Sequence, residues 1–173
     1  GAPFQVLLAA DDETPARLEH EGFAVAGTRM TYAIGRLALW SATPGFVDAQ
    51  GAVLRQGNFE RLAIANPALA PYGAAAMQVL ERLNLATQLQ SRIVQGENIA
   101  QAHQFVATGN AQLGFVAWSQ VQSQGRVASG SAWLVPDHLH APIRQGAVLL
   151  APGRGHAAAI ALLGLLRSDP ANA

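Results

Sequence analysis

The stretch LAIANPALAPYGAAAMQVLERL (residues 62–83) decides the fold class. It opens on a short apolar run of strand length, so residues 61–65 read as a buried strand. Pro67 and Pro71 mark residues 66–73 as a loop. Met77, Leu80 and Leu83 then recur at helical spacing, which predicts a helix over residues 74–85. The unit is therefore strand, loop, helix.

The same grammar continues on both sides. Downstream, residues 91–94 read as a strand, and Asn98 opens a helix over residues 98–108. Asn98 suits an N-cap, and Gln101 three residues on completes a capping-box pattern. Gly109 stops that helix, and residues 113–118 (LGFVAW) form another buried strand. Residues 123–130 read as a polar loop, 146–151 as a strand and 156–167 as an alanine-rich helix. Upstream, residues 4–10 are a strand closed by Asp11 and Asp12. A helix over residues 14–21 carries Pro15 in its first turn and ends at Gly22. Residues 31–41 read as one long strand in which Gly35 marks a bend or a close backbone approach, followed by a turn on Pro44. Strands alternating with helices predict α/β architecture with a mainly parallel sheet.

Composition sets the outer limits. The 173 residues suit one domain or two small lobes. Half the chain is hydrophobic and 13% is charged, which supports a buried core and argues against disorder. Basic and acidic residues balance at 11 each, and no basic run is present, so a nucleic-acid surface is not expected. Neutrality leaves room for an anionic ligand, because backbone N–H groups bind anions without a counter-charge. With no cysteine there are no disulfides, thiolate metal sites or cysteine nucleophiles. Residues 1–4 lack the pattern of a signal peptide, and the apolar span 156–166 is too short to cross a bilayer. The expectation is a soluble chain whose export signal has been removed.

Two places have the makings of a site. In α/β sheets, ligands collect at the carboxyl ends of strands. The loop after residue 65 lies at such an end. There Gly73 and the alanines after it leave a helix start open, and Tyr72 offers a further donor. The second place is Gly96-Glu97-Asn98-Ile99, where the amides after Asn98 head another helix. Each also has a plain structural reading, as a packed helix start and an ordinary cap. The two gain weight together, since both can point into one crevice. His138 and His140 sit at strand spacing but have no third ligand nearby, and His103 reads as a packing or surface residue. Asp11 and Asp12 point in different directions, which argues against an acid/base pair, and residues 12–15 read more simply as a helix start. No nucleophile elbow, P-loop or dinucleotide fingerprint occurs, so no enzyme is expected.

Five segments in order carry a resemblance: residues 1–23 (GAPFQVLLAADDETPARLEHEGF), 28–41 (TRMTYAIGRLALWS), 62–83, 92–121 (RIVQGENIAQAHQFVATGNAQLGFVAWSQV) and 142–150 (PIRQGAVLL). Together the chain resembles the periplasmic molybdate/tungstate-binding proteins of ABC importers, type II periplasmic binding proteins, in the branch with an APYG loop. The resemblance implies two α/β lobes joined by a hinge, with molybdate or tungstate in the cleft and an ABC permease as the membrane partner. It places lobe two at residues 35–145, and residues 1–34 and 146–173 in lobe one. Tyr72 matches the APYG tyrosine of the oxyanion site. Ile99 matches a residue that binds through its amide, where valine is more usual. Gly73 and Asn98 support the two helix starts. No cofactor and no metal beyond the oxyanion are implied.

The chain also departs from the family pattern. The first strands of lobe one, with their hydroxyl-bearing loops, lie before GAPF in family members, and the end also reads as shortened. Lobe one is therefore expected to be incomplete, with impaired ligand binding and with exposed edges suited to dimerisation or strand exchange. The alternative function is the effector-binding domain of an oxyanion-responsive regulator, which requires a DNA-binding segment.

Overall fold

The structure, a computed structural model, describes residues 3–168. The chain runs β1 (Val6–Leu8), α1 (Glu13–His20), β2 (Met30–Gly35), β3 (Leu37–Ser41), α2 (Val53–Gln56), β4 (Leu62–Ala65) and α3 (Pro71–Arg82). It continues through α4 (Ala86–Leu89), β5 (Ile93–Gly96), α5 (Ile99–Ala107), β6 (Leu113–Ala117), α6 (Trp118–Val121), β7 (Gln122–Ser123) and β8 (Arg126–Val127). It ends with β9 (Ser131–Leu134), β10 (Ile143–Leu149) and α7 (Ala157–Ser168). The chain divides into two compact units. Unit 1 is Gly1–Gly35 with Ile143–Ala173, and unit 2 is Arg36–Pro142.

Residues 31–41 are not one strand. β2 and β3 belong to different sheets, and the break falls at Arg36, whose carbonyl accepts the Trp118 N–H at 2.8 Å. Burial separates the halves: β2 has partly exposed positions along its length, whereas every residue of β3 is buried. Both halves favour extended backbone, so propensity alone does not register a change of sheet.

Unit 1 holds an antiparallel sheet in the order β1-β10-β2, with a bulge in β10 between Gln145 and Gly146. Helix α7 lays Ala159 and Leu163 on Ala147 and Leu149, with Val6, Val25, Met30 and Tyr32 packed around them. Tyr32 donates its hydroxyl to Gln145 Oε1 at 3.1 Å, and burial pushes its phenol above the usual tyrosine value. Asp12 is the N-cap residue of α1, but the side chain that serves the helix start is Asp11, whose carboxylate accepts from the backbone N–H and the hydroxyl of Thr14. Among the described residues, β1 and β2 are the edges of this sheet.

Unit 2 holds a five-stranded sheet in the order β5-β4-β6-β3-β9. Here the expected mainly parallel sheet needs correcting. β5, β4 and β6 pair in parallel, and β3 alone is reversed, antiparallel to both β6 and β9, so that β9 runs in the same direction as β6. A parallel neighbour needs a crossover of a dozen or more residues, usually a helix. Residues 118–130, which carry the chain from β6 past β3 to β9, hold the single turn of α6 and a hairpin. That hairpin, β7–β8, occupies the expected 123–130 loop. It turns at Gln124 and Gly125, both with positive φ, the pattern of a two-residue type I′ turn. Strand β9 (SAWL) has no counterpart among the sequence expectations.

The middle of this sheet carries the core. Leu39 pairs with Phe115 on one side and Trp133 on the other, and all three are buried. Trp40 is also buried and donates its indole N–H to the Ser129 carbonyl at 2.8 Å, anchoring the segment before β9. Beyond β3, Asp48 accepts from the amides of Gln50 and Ala52 at 2.8 and 2.9 Å, which secures the entry to α2. Those amide bonds, led by Gln50, hold its carboxyl below the usual aspartate value.

Leu39→Ala should lower unfolding free energy by about 2–5 kcal/mol, because a fully buried leucine leaves a cavity between two aromatic neighbours; urea denaturation followed by tryptophan fluorescence measures this. Asp48 has a depressed folded-state pKa, so its stabilisation is present above the ordinary value of 3.8 and fades as pH falls through the lower folded value. Asp48→Asn should therefore lose stability at pH 7 and approach the parent at pH 2, compared by denaturation midpoints at both pH values.

Candidate functional site

The site is built on two adjacent parallel strands. β4 and β5 end level, with Ala65 opposite Gly96, and the Asn66 N–H donates to the Gly96 carbonyl at 2.7 Å. Each strand feeds a helix, β4 into α3 and β5 into α5. The starts of the two helices are thus fixed to one ladder end.

The route from β4 to α3 is a tight turn. Asn66 Oδ1 accepts the Ala68 N–H at 2.9 Å, and the Asn66 carbonyl accepts from Leu69 and Ala70. Ala70 is the N-cap residue, with extended backbone, and Pro71 takes the first helical position, where its missing N–H costs nothing. The helix therefore begins three residues earlier than expected. Tyr72 and Gly73 stand inside its first turn, not in a loop, and both are buried.

Gly73 has a different role from the open start that was expected. Its amide and that of Ala74 both donate to the Ala70 carbonyl, at 2.9 and 3.1 Å. What Gly73 contributes is closeness: a Cβ there would lie 2.2 Å from the Ala65 carbonyl oxygen. Only glycine lets the first turn of α3 sit directly on the end of β4.

The start of α5 follows a related plan. Asn98 has extended backbone and accepts the Gln101 N–H at 3.0 Å. Gln101 reaches back, but to the Glu97 N–H at 2.6 Å and not to Asn98 itself, so the capping box is displaced by one residue. Gln101 and Ala102 amides are taken by Asn98. Ile99 and Ala100, the first two helical residues, come too early for an intrahelical acceptor, and their N–H groups point off the helix end. Gly96 is buried, and a Cβ on it would lie 2.9 Å from Ala102 N, so this helix also closes tightly on its strand.

Among the described residues the one ion pair, Arg29–Glu19 at 3.4 Å, lies in unit 1. The positive potential at the two helix ends is supplied by aligned peptide dipoles. Behind the site, His103 of α5 stacks on Trp40 with ring centroids 5.0 Å apart and planes 17° apart. It is a packing residue, and its partner far earlier in the chain left no local signal. His138 is exposed and His140 buried, and no group of three or more His, Cys, Asp or Glu among the described residues is placed to hold a metal ion.

Comparison with known proteins places this geometry in context. A family model described as bacterial extracellular solute-binding protein matches residues 1–173. The chain is similar to a molybdate-binding protein ModA of Azotobacter vinelandii, at 59% identity over 99% of this chain and 68% of the relative. A ModA of Rhodobacter capsulatus is 49% identical over 99% of this chain and 66% of its own length. The chain thus spans about two thirds of the length of these relatives. Among solved structures, a periplasmic molybdate-binding protein of Azotobacter vinelandii superposes with a TM-score of 0.91 at 43% identity, covering 99% of this chain and 75% of that one.

The close seat of α3 can be tested with two alanines. Gly73→Ala should destabilise by about 1–3 kcal/mol, since the backbone must move to admit the methyl group. Gly164→Ala, in α7 with nothing within 4 Å of the added Cβ, should stabilise by up to about 1 kcal/mol. Equal effects in thermal and urea denaturation would show that α3 does not depend on the missing Cβ.

Proposed function

We propose that this chain, which belongs to the bacterial extracellular solute-binding protein family, captures molybdate or its near twin tungstate at the starts of α3 and α5, with backbone donors supplied by the first turn of α5. The observation that carries the proposal is the shared ladder end: Ala65 and Gly96 pair, and a helix start stands on each strand. Two helix N-termini held side by side are suited to a dianion, because their N–H groups and dipoles both favour negative charge. The ModA relatives, molybdate-binding by name, support the choice of anion.

In this reading Tyr72 and Ile99 contact the oxyanion, while Gly73 and Asn98 hold their helices in place. Units 1 and 2 are the two lobes of a solute-binding protein. Binding is capture and release in the periplasm for an ABC permease, with no bond made or broken. Neutral donors suit capture followed by release, since a dianion held without full counter-charges is stabilised yet free to leave. Sulfate has the same charge and shape, so selection against it rests on the longer metal–oxygen bonds of molybdate and on donor spacing.

Titration calorimetry with molybdate, sulfate and phosphate tests the proposal. Each charge-assisted hydrogen bond is worth about 1.5–3 kcal/mol, so loss of a single donor should weaken molybdate binding about tenfold or more. Molybdate should still bind ahead of sulfate and phosphate. A preference for phosphate, or silence towards every anion both in this chain and in a hybrid with the rest of the Azotobacter relative, would remove the support.

A sharper test uses the geometry of α5. Proline is well tolerated at the first helical position, and extended Asn98 suits the residue before a proline. Ile99→Pro should therefore leave thermal stability within about 1 kcal/mol while deleting one donor. Molybdate affinity should fall about 10–100-fold. Unchanged affinity would show that the Ile99 amide is not a ligand.

A further inference from the structure

Gln78 lies on α3, six residues beyond Tyr72, or about 9 Å further along the helix axis. Its Oε1 accepts the backbone N–H of Ala141 at 2.7 Å. Ala141 stands immediately before Pro142, the last residue of unit 2, and Ile143 opens the return segment of unit 1. The Ala141 carbonyl is also held: His140 Nδ1 lies 2.7 Å from it. Both polar backbone groups of this one residue are therefore taken by side chains. The same helix packs against the turn Asp137–Leu139 just before it.

The cost of this arrangement points to its purpose. Ala141 is exposed, so its amide would otherwise bond water at little penalty. Ordering a glutamine side chain on it costs rotamer freedom and returns little net stability. The His140 ring is 5% exposed, and its Nε2 has no hydrogen-bond partner, so the imidazole gives up solvation to remain beside Ala141. The segment held is also stiff. Pro142 fixes its own φ and biases Ala141 towards extended backbone. A stiff segment clamped to a helix transmits displacement of that helix; a flexible one absorbs it.

We propose that Gln78 is a positioning residue that couples the anion-binding end of α3 to the return crossing at Ala141 and Pro142. The inference rests on the oxyanion reading of α3 above. An anion drawing on the first turn of α3 loads the helix as a rod, and Gln78 passes that load to Ala141. The crossing then reports whether the site is filled.

The test compares the parent chain with Gln78→Leu, which has no acceptor, and Gln78→Glu, which keeps one. Residue-resolved amide exchange is read at Ala141 and in the first turns of α3 and α5, with and without molybdate, beside molybdate affinity. In the parent, molybdate should slow exchange at Ala141. In Gln78→Leu, Ala141 should exchange about 3–10-fold faster, lose its response to molybdate, and show affinity lower by a similar factor. Gln78→Glu should restore all three. A contact that is only structural predicts faster exchange with the response intact, and that result overturns the coupling. A parent that responds at the starts of α3 and α5 but not at Ala141 overturns the coupling and leaves the oxyanion reading standing. A parent in which molybdate alters exchange nowhere and releases no heat overturns both.

Discussion

The level ending of β4 and β5 is the constraint on which the site depends. Ala65 and Gly96 face each other in a parallel ladder, and the Asn66 N–H closes that ladder on the Gly96 carbonyl. If the register slipped by one residue, every side chain of the moved strand would change face, and one helix start would be carried away from the other. The buried residues of β4, Leu62 to Ala65, oppose such a slip. The core thus fixes the position of the two helix starts on which the proposed anion site rests.

Building the donors from backbone has a further effect. A charged side chain would need its own partners when the site is empty, since a buried unpaired charge is costly. An N–H at a helix start carries no such demand, because it is unpaired by geometry and meets water when the ligand is absent. The balanced charge of the chain is consistent with this solution. With the Ile99 amide as the proposed donor, the side chain at position 99 is free to vary so long as it is not proline.

What is legible in the sequence follows short-range rules. The helix after Asn98 and its cap can be read because Asn98 and Gln101 are close neighbours in the chain. The true acceptor contact to Glu97 differs from that reading by one residue. The start of α3 is harder to place, because Pro71 suits a loop as well as a first helical residue, and the loop reading moves Tyr72 and Gly73 outside the helix. The break at Arg36 and the antiparallel placement of β3 and β9 leave no local trace, since they are decided by which distant strand lies alongside. The Gln78–Ala141 bond and the His103–Trp40 stack each join residues far apart in the chain. Gln78 and His103 are ordinary residue types for a helix surface, and only the fold gives them these partners.

The nesting of unit 2 within unit 1 also bears on how the molecule is made. Unit 2 is one continuous stretch, whereas the sheet of unit 1 joins Val6 to Leu149 and Gly35 to Ile143. As the chain leaves the ribosome, β1 and β2 emerge before β10 and cannot form the β1-β10-β2 ladder until β10 has been synthesised. Domains usually fold in order of appearance. Here the order is inverted: the inner unit can close while the outer strands wait. During that interval β1 and β2 lack the central strand between them, and the backbone edges that β10 will cover are open to any extended segment nearby. The interval lasts as long as it takes to make unit 2, so its length is set by translation speed and not by the stability of the finished protein.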